Sequence, residues 1–357
     1  MSCSEPKVHS ADVNRQHRSG FVLPFVIVAI SIVAILGLAT IGSTWRGFRA
    51  ARLGANGVRA QYAADEGLAR QLDAWPDDSL TAQGLGVTRD REWRTEVGDH
   101  VMVRTTRTHP LVAVMTADVV LNGLGTPGRV QRRVTRVVGL APPDLPISGA
   151  LTALTTVTGR DGSVVTGSDH SIGGDACGPL HEVAPVSDVV AYGLEADASH
   201  DWPAQPAWHV FPDSVAVRRQ FERAWVTLSA RSRVQRNESA AVRIVALPGW
   251  HSLLLSGAST TMQGGSRWRG LLSVAGDLII TGRVEVEGVL VVRGALDARG
   301  GELRVRGAVL VAPVGPGTAQ LGRSTQLQYN RCAQQMGLAT VSEATSRPFA
   351  LWYSPLD

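Results

Sequence analysis

The sequence predicts an α+β protein. A long N-terminal transmembrane and amphipathic helix is expected with an antiparallel sheet, followed by a mostly-β head containing a short, β-helix-like solenoid of glycine hexads. Three observations carry this. From Ser19 to Trp45 there are 27 consecutive residues without a charge. Between Trp93 and Leu140 apolar and polar residues alternate as they do along strands. Toward the C-terminus glycine recurs every six residues. The 357 residues leave ample room for a core, and a composition of 44% hydrophobic and 18% charged residues excludes a disordered tail or a collagen-like chain.

The first element is the run Phe21–Ile41, whose 21 residues are all uncharged. As a helix it spans about 32 Å, enough to cross a bilayer core of about 30 Å. A signal-peptide apolar region is shorter, about 7–15 residues. No proline follows until Pro76, and Ala64, Leu68, Leu72 and Trp75 recur at helical spacing, so the helix is expected to continue over 21–75, roughly 80 Å. Gly54 and Gly57 weaken it locally. Lys7, Arg15 and Arg18 precede the run and Arg46, Arg49, Arg52 and Arg59 follow it, a balance that by itself slightly favours a cytoplasmic C-terminus.

The order Arg18-Ser19-Gly20-Phe21 followed by the apolar run resembles the start of a type IV prepilin. Ala63-Ala64-Asp65-Glu66-Gly67-Leu68 resembles the "A-A-E-A-G-L" stretch of PilX-type minor pilins and K-type pseudopilins, with Asp65 in place of Glu and Glu66 in place of Ala. The resemblance covers residues 15–75. It implies a leader at 1–20, cut by a prepilin peptidase between Gly20 and Phe21. It also implies an inner-membrane, single-pass chain with its head periplasmic or extracellular. Helix packing would involve Phe21, Phe25, Asp65 and Glu66. Major pilins carry Glu at the fifth mature position, where Phe25 stands here; K-type pseudopilins at filament tips share this absence, which fits a tip or priming subunit. The implied partners are other pilin-like subunits, the prepilin peptidase, an inner-membrane assembly platform and membrane lipid. The alternative is a membrane-anchored β-helical surface adhesin or scaffold that is never processed.

Within 76–140, Val101–Thr106, Val112–Leu121 and Val130–Val138 read as three antiparallel strands packed on the amphipathic half of the helix. Gly123–Gly128 spells GxGxxG, but the alternating residues after it read as a strand, so a hairpin loop is expected and not a dinucleotide site. Residues 141–146, Ala-Pro-Pro-Asp-Leu-Pro, form a stiff linker into the head, 147–357. Short strands up to Cys177 come next, and 178–212 is irregular. A helix over 213–235 follows, with Asp213 or Ser214 as N-cap and Phe221, Trp225 and Leu228 on one face.

The repeat comprises Gly270, Gly276, Gly282, Gly288, Gly294 and Gly300, continued after one extra residue by Gly307. An aliphatic pair follows each bend: Leu272/Val274, Leu278/Ile280, Val284/Val286, Leu290/Val292, Leu296/Ala298, Leu303/Val305 and Val309/Val311. Three such units per coil make a triangular solenoid over 270–312, to which strands from 147–177 add a further coil. The competing arrangement is a glycine-rich meander.

Chemistry is sparse. Lys7 is the only lysine among 35 basic residues, and the arginines are scattered without interleaved aromatics, so nucleic-acid binding is not expected. None of the nine histidines forms HxH, HExxH or HxxxH, and none lies between 252 and 357, where a hexad-repeat acyltransferase would need one. Asp161, Asp169, His170 and Asp175 read as turn residues rather than a calcium loop. No catalytic set, cofactor or metal is expected. No CxxC occurs; Cys3 precedes the apolar run, so in an exported head Cys177 and Cys332 are the disulfide candidate, with two separate buried thiols as the alternative. Their pairing would constrain the unfolded chain by roughly 4–5 kcal/mol.

Overall fold

One helix, α1 (Val22–Asp73), opens the structure, and at 52 residues it is about 78 Å long. Gly54 and Gly57 lie within it without ending it. The structure is a computed structural model that describes residues 22–75, 82–121, 130–160, 162–167, 191–196, 208–210, 213–235, 241–245 and 247–346. Two compact units divide the chain, Met1–Arg59 and Ala60–Asp357. In the first, α1 buries almost nothing. In the second, the last turns of α1 bury Ala60, Ala63, Ala64 and Leu68 against a sheet.

That sheet contains β1 (Thr88–Arg94), β2 (His100–His109), β3 (Val112–Leu121) and β4 (Val130–Ala141). Each pairs antiparallel with the next. Strict alternation puts Val101 and Val103 of β2 and Ala113, Met115, Ala117 and Val119 of β3 under the helix. Gly67 permits the close approach: a Cβ there would lie 2.6 Å from Val101 Cγ1. Arg107 points into the same layer. It donates to Gln83 O (3.0 Å) and Pro110 O (2.7 Å), and burial pushes its guanidinium down to about 10.

The sheet has five strands rather than the three expected. β1 reads Thr-Arg-Asp-Arg-Glu-Trp-Arg and is exposed except at Trp93, which is partly buried against the core, so it lacks the apolar alternation that marks a strand. The fifth strand, Glu343–Ser346, comes from far down the chain and closes the other edge against β4. The GxGxxG loop lies outside the described residues, but its flanks, Leu121 and Val130, are paired ends of a hairpin.

The head contains β5 (Leu151–Gly159), β6 (Val164–Thr166), β7 (Ala191–Ala196), β8 (Trp208–Val210), α2 (Ser214–Arg231), β9 (Arg233–Gln235) and β10 (Ala241–Val242). Then follow β11 (His251–Leu255), β12 (Ser259–Met262), β13 (Ser266–Val274), β14 (Asp277–Ile280), β15 (Arg283–Val292), β16 (Leu296–Asp297), β17 (Glu302–Val311), β18 (Thr318–Leu321) and β19 (Gln326–Tyr329). A short helix, α3 (Arg331–Ala339), precedes the sheet-closing strand β20 (Glu343–Ser346).

Among the described residues β5 through β19 pair only in parallel, which makes this a solenoid and not a meander. Gly270 pairs with Gly288 and Gly288 with Gly307, so successive coils take 18 and 19 residues, three hexads and then three hexads plus one. Every aliphatic pair of the repeat lies in one buried core, together with Trp268, Leu253 and Leu255. The corner glycines are required by space and by backbone. Gly270, Gly288 and Gly307 have φ of 127°, 133° and 139°, and a Cβ on Gly288 would lie 2.0 Å from Gly270 O.

The solenoid is longer than the expected span and is assembled out of chain order. β9 through β12 add coils before Gly270. At the other end β5 stacks on β17 and β18 and β6 on β19, which supplies the expected coil from 147–177. β7 and β8 extend that end further. Between β8 and β9, helix α2 carries the chain back along the solenoid. Asp213 caps it, accepting from the Ala216 amide at 2.9 Å. Phe221, Trp225 and Leu228 pack against the outward side chains of β11, β13, β15 and β17, namely Leu254, Leu271, Val289, Val291 and Leu310. Arg218 donates to Pro313 O (2.6 Å) and Leu154 O (3.0 Å), tying α2 to both chain segments of the joint. The proline-rich stretch joins this layer through buried Leu145.

Candidate functional site

The apolar half of α1 is long and apolar enough to cross a membrane, and none of that window is buried. Phe25 is 77% exposed, and Leu23, Ile30, Val33, Ile35 and Leu38 are exposed beside it. Its hydroxyls turn back onto the helix: Ser31 donates to Ile27 O (2.8 Å), Thr40 to Gly37 O (2.8 Å), Ser43 to Thr40 O (2.9 Å) and Thr44 to Thr40 O (2.8 Å). The segment therefore shows a surrounding medium hydrocarbon with its polar groups already satisfied, as a lipid environment demands. Arg46, Arg49 and Arg52 follow directly, with Arg52 lying 5.4 Å from the Phe48 ring centroid. Placing a charge mid-segment tests this surface: Val33→Arg is expected to oppose insertion by about 2.5–3.5 kcal/mol, read as a shift from the membrane to the soluble fraction.

Asp65 and Glu66 of the helix have local partners. Asp65 Oδ1 meets Arg136 Nη2 of β4 at 2.6 Å, and Asp65 Oδ2 accepts from Gln61 at 3.2 Å. Asp65 thus fastens α1 to its own sheet. Glu66 pairs with Arg70 one turn on, at 2.5 Å, and stays partly exposed. Gly20, Phe21 and Cys177 lie outside the described residues, as do Asp161, Asp169, His170 and Asp175. Cys332 is buried on α3 beside Trp250, Ala333 and Met336 and is disulfide-bonded. The other half of that bond lies outside the described residues.

A second surface was not anticipated as a site. On one face of the solenoid the outward residues of β13, β15 and β17 form two cross-strand rows, Arg267–Glu285–Arg304 and Arg269–Glu287–Arg306. Arg267 meets Glu285 at 3.0 Å, Arg269 meets Glu287 at 2.9 Å, and Arg283 meets Glu285 at 2.6 Å. Burial alone would raise the Glu285 carboxyl, but Arg283, Arg267 and Arg304 around it hold it below the usual range. With Leu247, Pro248 and Gly249 as a wall, these side chains line a groove of about 420 Å³. No protein-family model, curated protein or solved structure matches the chain.

Two signals in the sequence could have located the groove. The outward positions of the hexads carry its charges, in Gly282-Arg-Val-Glu-Val-Glu and Gly301-Glu-Leu-Arg-Val-Arg, and the coil length sets them in register. Among the described residues no group of three or more His, Cys, Asp or Glu is placed to hold a metal ion.

Proposed function

We propose that this chain is a structural, pilin-like subunit, a minor pilin or pseudopilin of a type IV pilus or type II secretion-like filament, acting at a tip or in priming. The observation that carries this reading is the division of α1. One half is a bare apolar surface, and the other is packed through Ala60, Ala63, Ala64 and Leu68 on an antiparallel sheet. A helix built in this way can be held in lipid and then repacked against equivalent helices, since each environment buries the same surface. The head is carried on the packed half. Arg18, Gly20 and Phe21 support the reading from the sequence, and Phe25 in the fifth mature position supports a subunit with none ahead of it. In an exported head Cys177 is the partner for Cys332.

The test is the mature N-terminus. After co-expression with a prepilin peptidase, N-terminal sequencing is expected to return Phe21 as the first residue, and Gly20→Val is expected to keep the leader attached. An intact Gly20–Phe21 bond in the unmodified chain would overturn processing and leave a membrane-anchored β-solenoid scaffold.

A further inference from the structure

The groove on the solenoid face has a charge pattern with more chemistry than a basic patch. Five arginines line it, Arg267, Arg269, Arg283, Arg304 and Arg306, against two carboxylates, Glu285 and Glu287. The carboxylates and Arg283 occupy the middle strand, and the other four arginines flank the carboxylates on both sides. Adjacent parallel strands are about 4.8 Å apart, so the flanking rows stand about 10 Å from each other across the glutamates. Arg267 and Arg304 are 69% and 42% exposed at the side chain; Arg267 meets Glu285 through Nε, and Arg304 meets Glu302 on its own strand. A guanidinium carries five donors in all, so each has donors beyond that contact. Arg306 is exposed and makes no ion pair among the described residues.

Such a surface offers two kinds of hydrogen bond side by side. Guanidinium forks take carboxylates bidentately, and the carboxylates of Glu285 and Glu287 accept hydrogen bonds from hydroxyls. A ligand satisfying both must carry carboxylates and hydroxyls on one chain. A phosphodiester backbone satisfies only the first and meets two like charges in the middle of the groove. Exposed aromatic platforms for bases are also missing from the lining, since Trp268 is 6% exposed. The groove's volume, about 420 Å³, falls within the range of small-ligand sites, about 300–1,000 Å³. We infer that this face of the solenoid binds an acidic polysaccharide of the uronic-acid class, with Arg267, Arg304 and Arg306 holding carboxylates and Glu285 and Glu287 accepting from ring hydroxyls. The inference stands apart from the leader's fate, because it concerns only the head.

The experiment is titration calorimetry of the full chain in detergent micelles with oligogalacturonate. Its methyl ester and a DNA duplex serve as comparison probes. Oligogalacturonate is expected to bind, with the neutral ester at least about tenfold weaker, the equivalent of one lost charge-assisted contact. Arg304→Gln with Arg306→Gln is expected to weaken oligogalacturonate at least about tenfold with an unchanged melting transition. Glu285→Gln with Glu287→Gln is expected to weaken it too, because the hydroxyl acceptors are lost. A merely cationic surface would respond in the opposite direction, binding DNA as well as oligogalacturonate and binding both more tightly once the glutamates are neutralised; that result overturns the inference. So does oligogalacturonate binding that is absent or indifferent to Arg306→Glu, a substitution at a side chain with no ion pair among the described residues.

Discussion

Gly288→Ala is expected to unfold the solenoid. The position combines a φ of 133° with a carbonyl, Gly270 O, only 2.0 Å from where the methyl would sit. Neither the backbone nor the contact can relax alone, because Gly288 is paired to Gly270 on one side and to Gly307 on the other. Moving one corner moves the whole ladder. Strain of this kind belongs with the largest single-residue effects, more than about 4 kcal/mol. Set against a domain stability of about 5–15 kcal/mol, it removes most of the folded population or all of it. The readout is the urea midpoint of the head, followed by far-ultraviolet circular dichroism. Gly315→Ala is the control, since nothing lies within 4 Å of a Cβ there. Its midpoint is expected to stay within about 0.5 kcal/mol of the unmodified chain. Equal midpoints for the two variants would refute the corner argument.

Phe221→Ala is expected to cost about 3–5 kcal/mol. Phe221 is fully buried, and its ring centroid lies 5.9 Å from that of Trp225. Removing it hollows the layer between α2 and the solenoid, and Leu254, Leu271, Val289 and Leu310 lose their cover. Hydrogen exchange is the measurement that separates this from global unfolding. Amides of α2 should lose protection first, with β15 and β17 retaining theirs longer. Val226→Ala, on the exposed side of the same helix, should leave both protection and midpoint within about 0.5 kcal/mol. If Phe221→Ala behaved like Val226→Ala, α2 would not be a structural strut.

The hexad pairs were legible because each aliphatic is held at a fixed offset from a glycine that nothing else can replace. From Leu272 to Val311 the register of a coil could be read from the spacing, and the core holds every pair. Helix α1 and the capped start of α2 were legible for similar local reasons: charge-free length in one case, Asp213 before an amphipathic run in the other. What the sequence concealed is nonlocal. β1 looks like a charged loop because only Trp93 of this edge strand turns toward the core, too little to mark a face. β20 is recognised as a strand only by its pairing to β4. The partner of β5 is chosen by the stacking of coils, and no residue in β5 names β17. The Arg–Glu rows were hidden in the same way. Each charge is ordinary in its own hexad and becomes part of a groove only when three coils are laid side by side.

The out-of-order joint has a consequence in time. Leu151 pairs with Val309 and Gly159 with Leu321, so β5 rests on residues made more than a hundred and fifty positions later. A chain that emerges N-terminus first, from a ribosome or through a narrow pore, therefore offers β5 its neighbour β7 early but leaves the other side of β5 open until almost the last turn has appeared. Pairing over so great a sequence distance is slow, because loop closure precedes any gain from contact. Synthesis and threading can finish before the head locks, and a molecule truncated before Val309 would lack both strands on which β5 closes the solenoid.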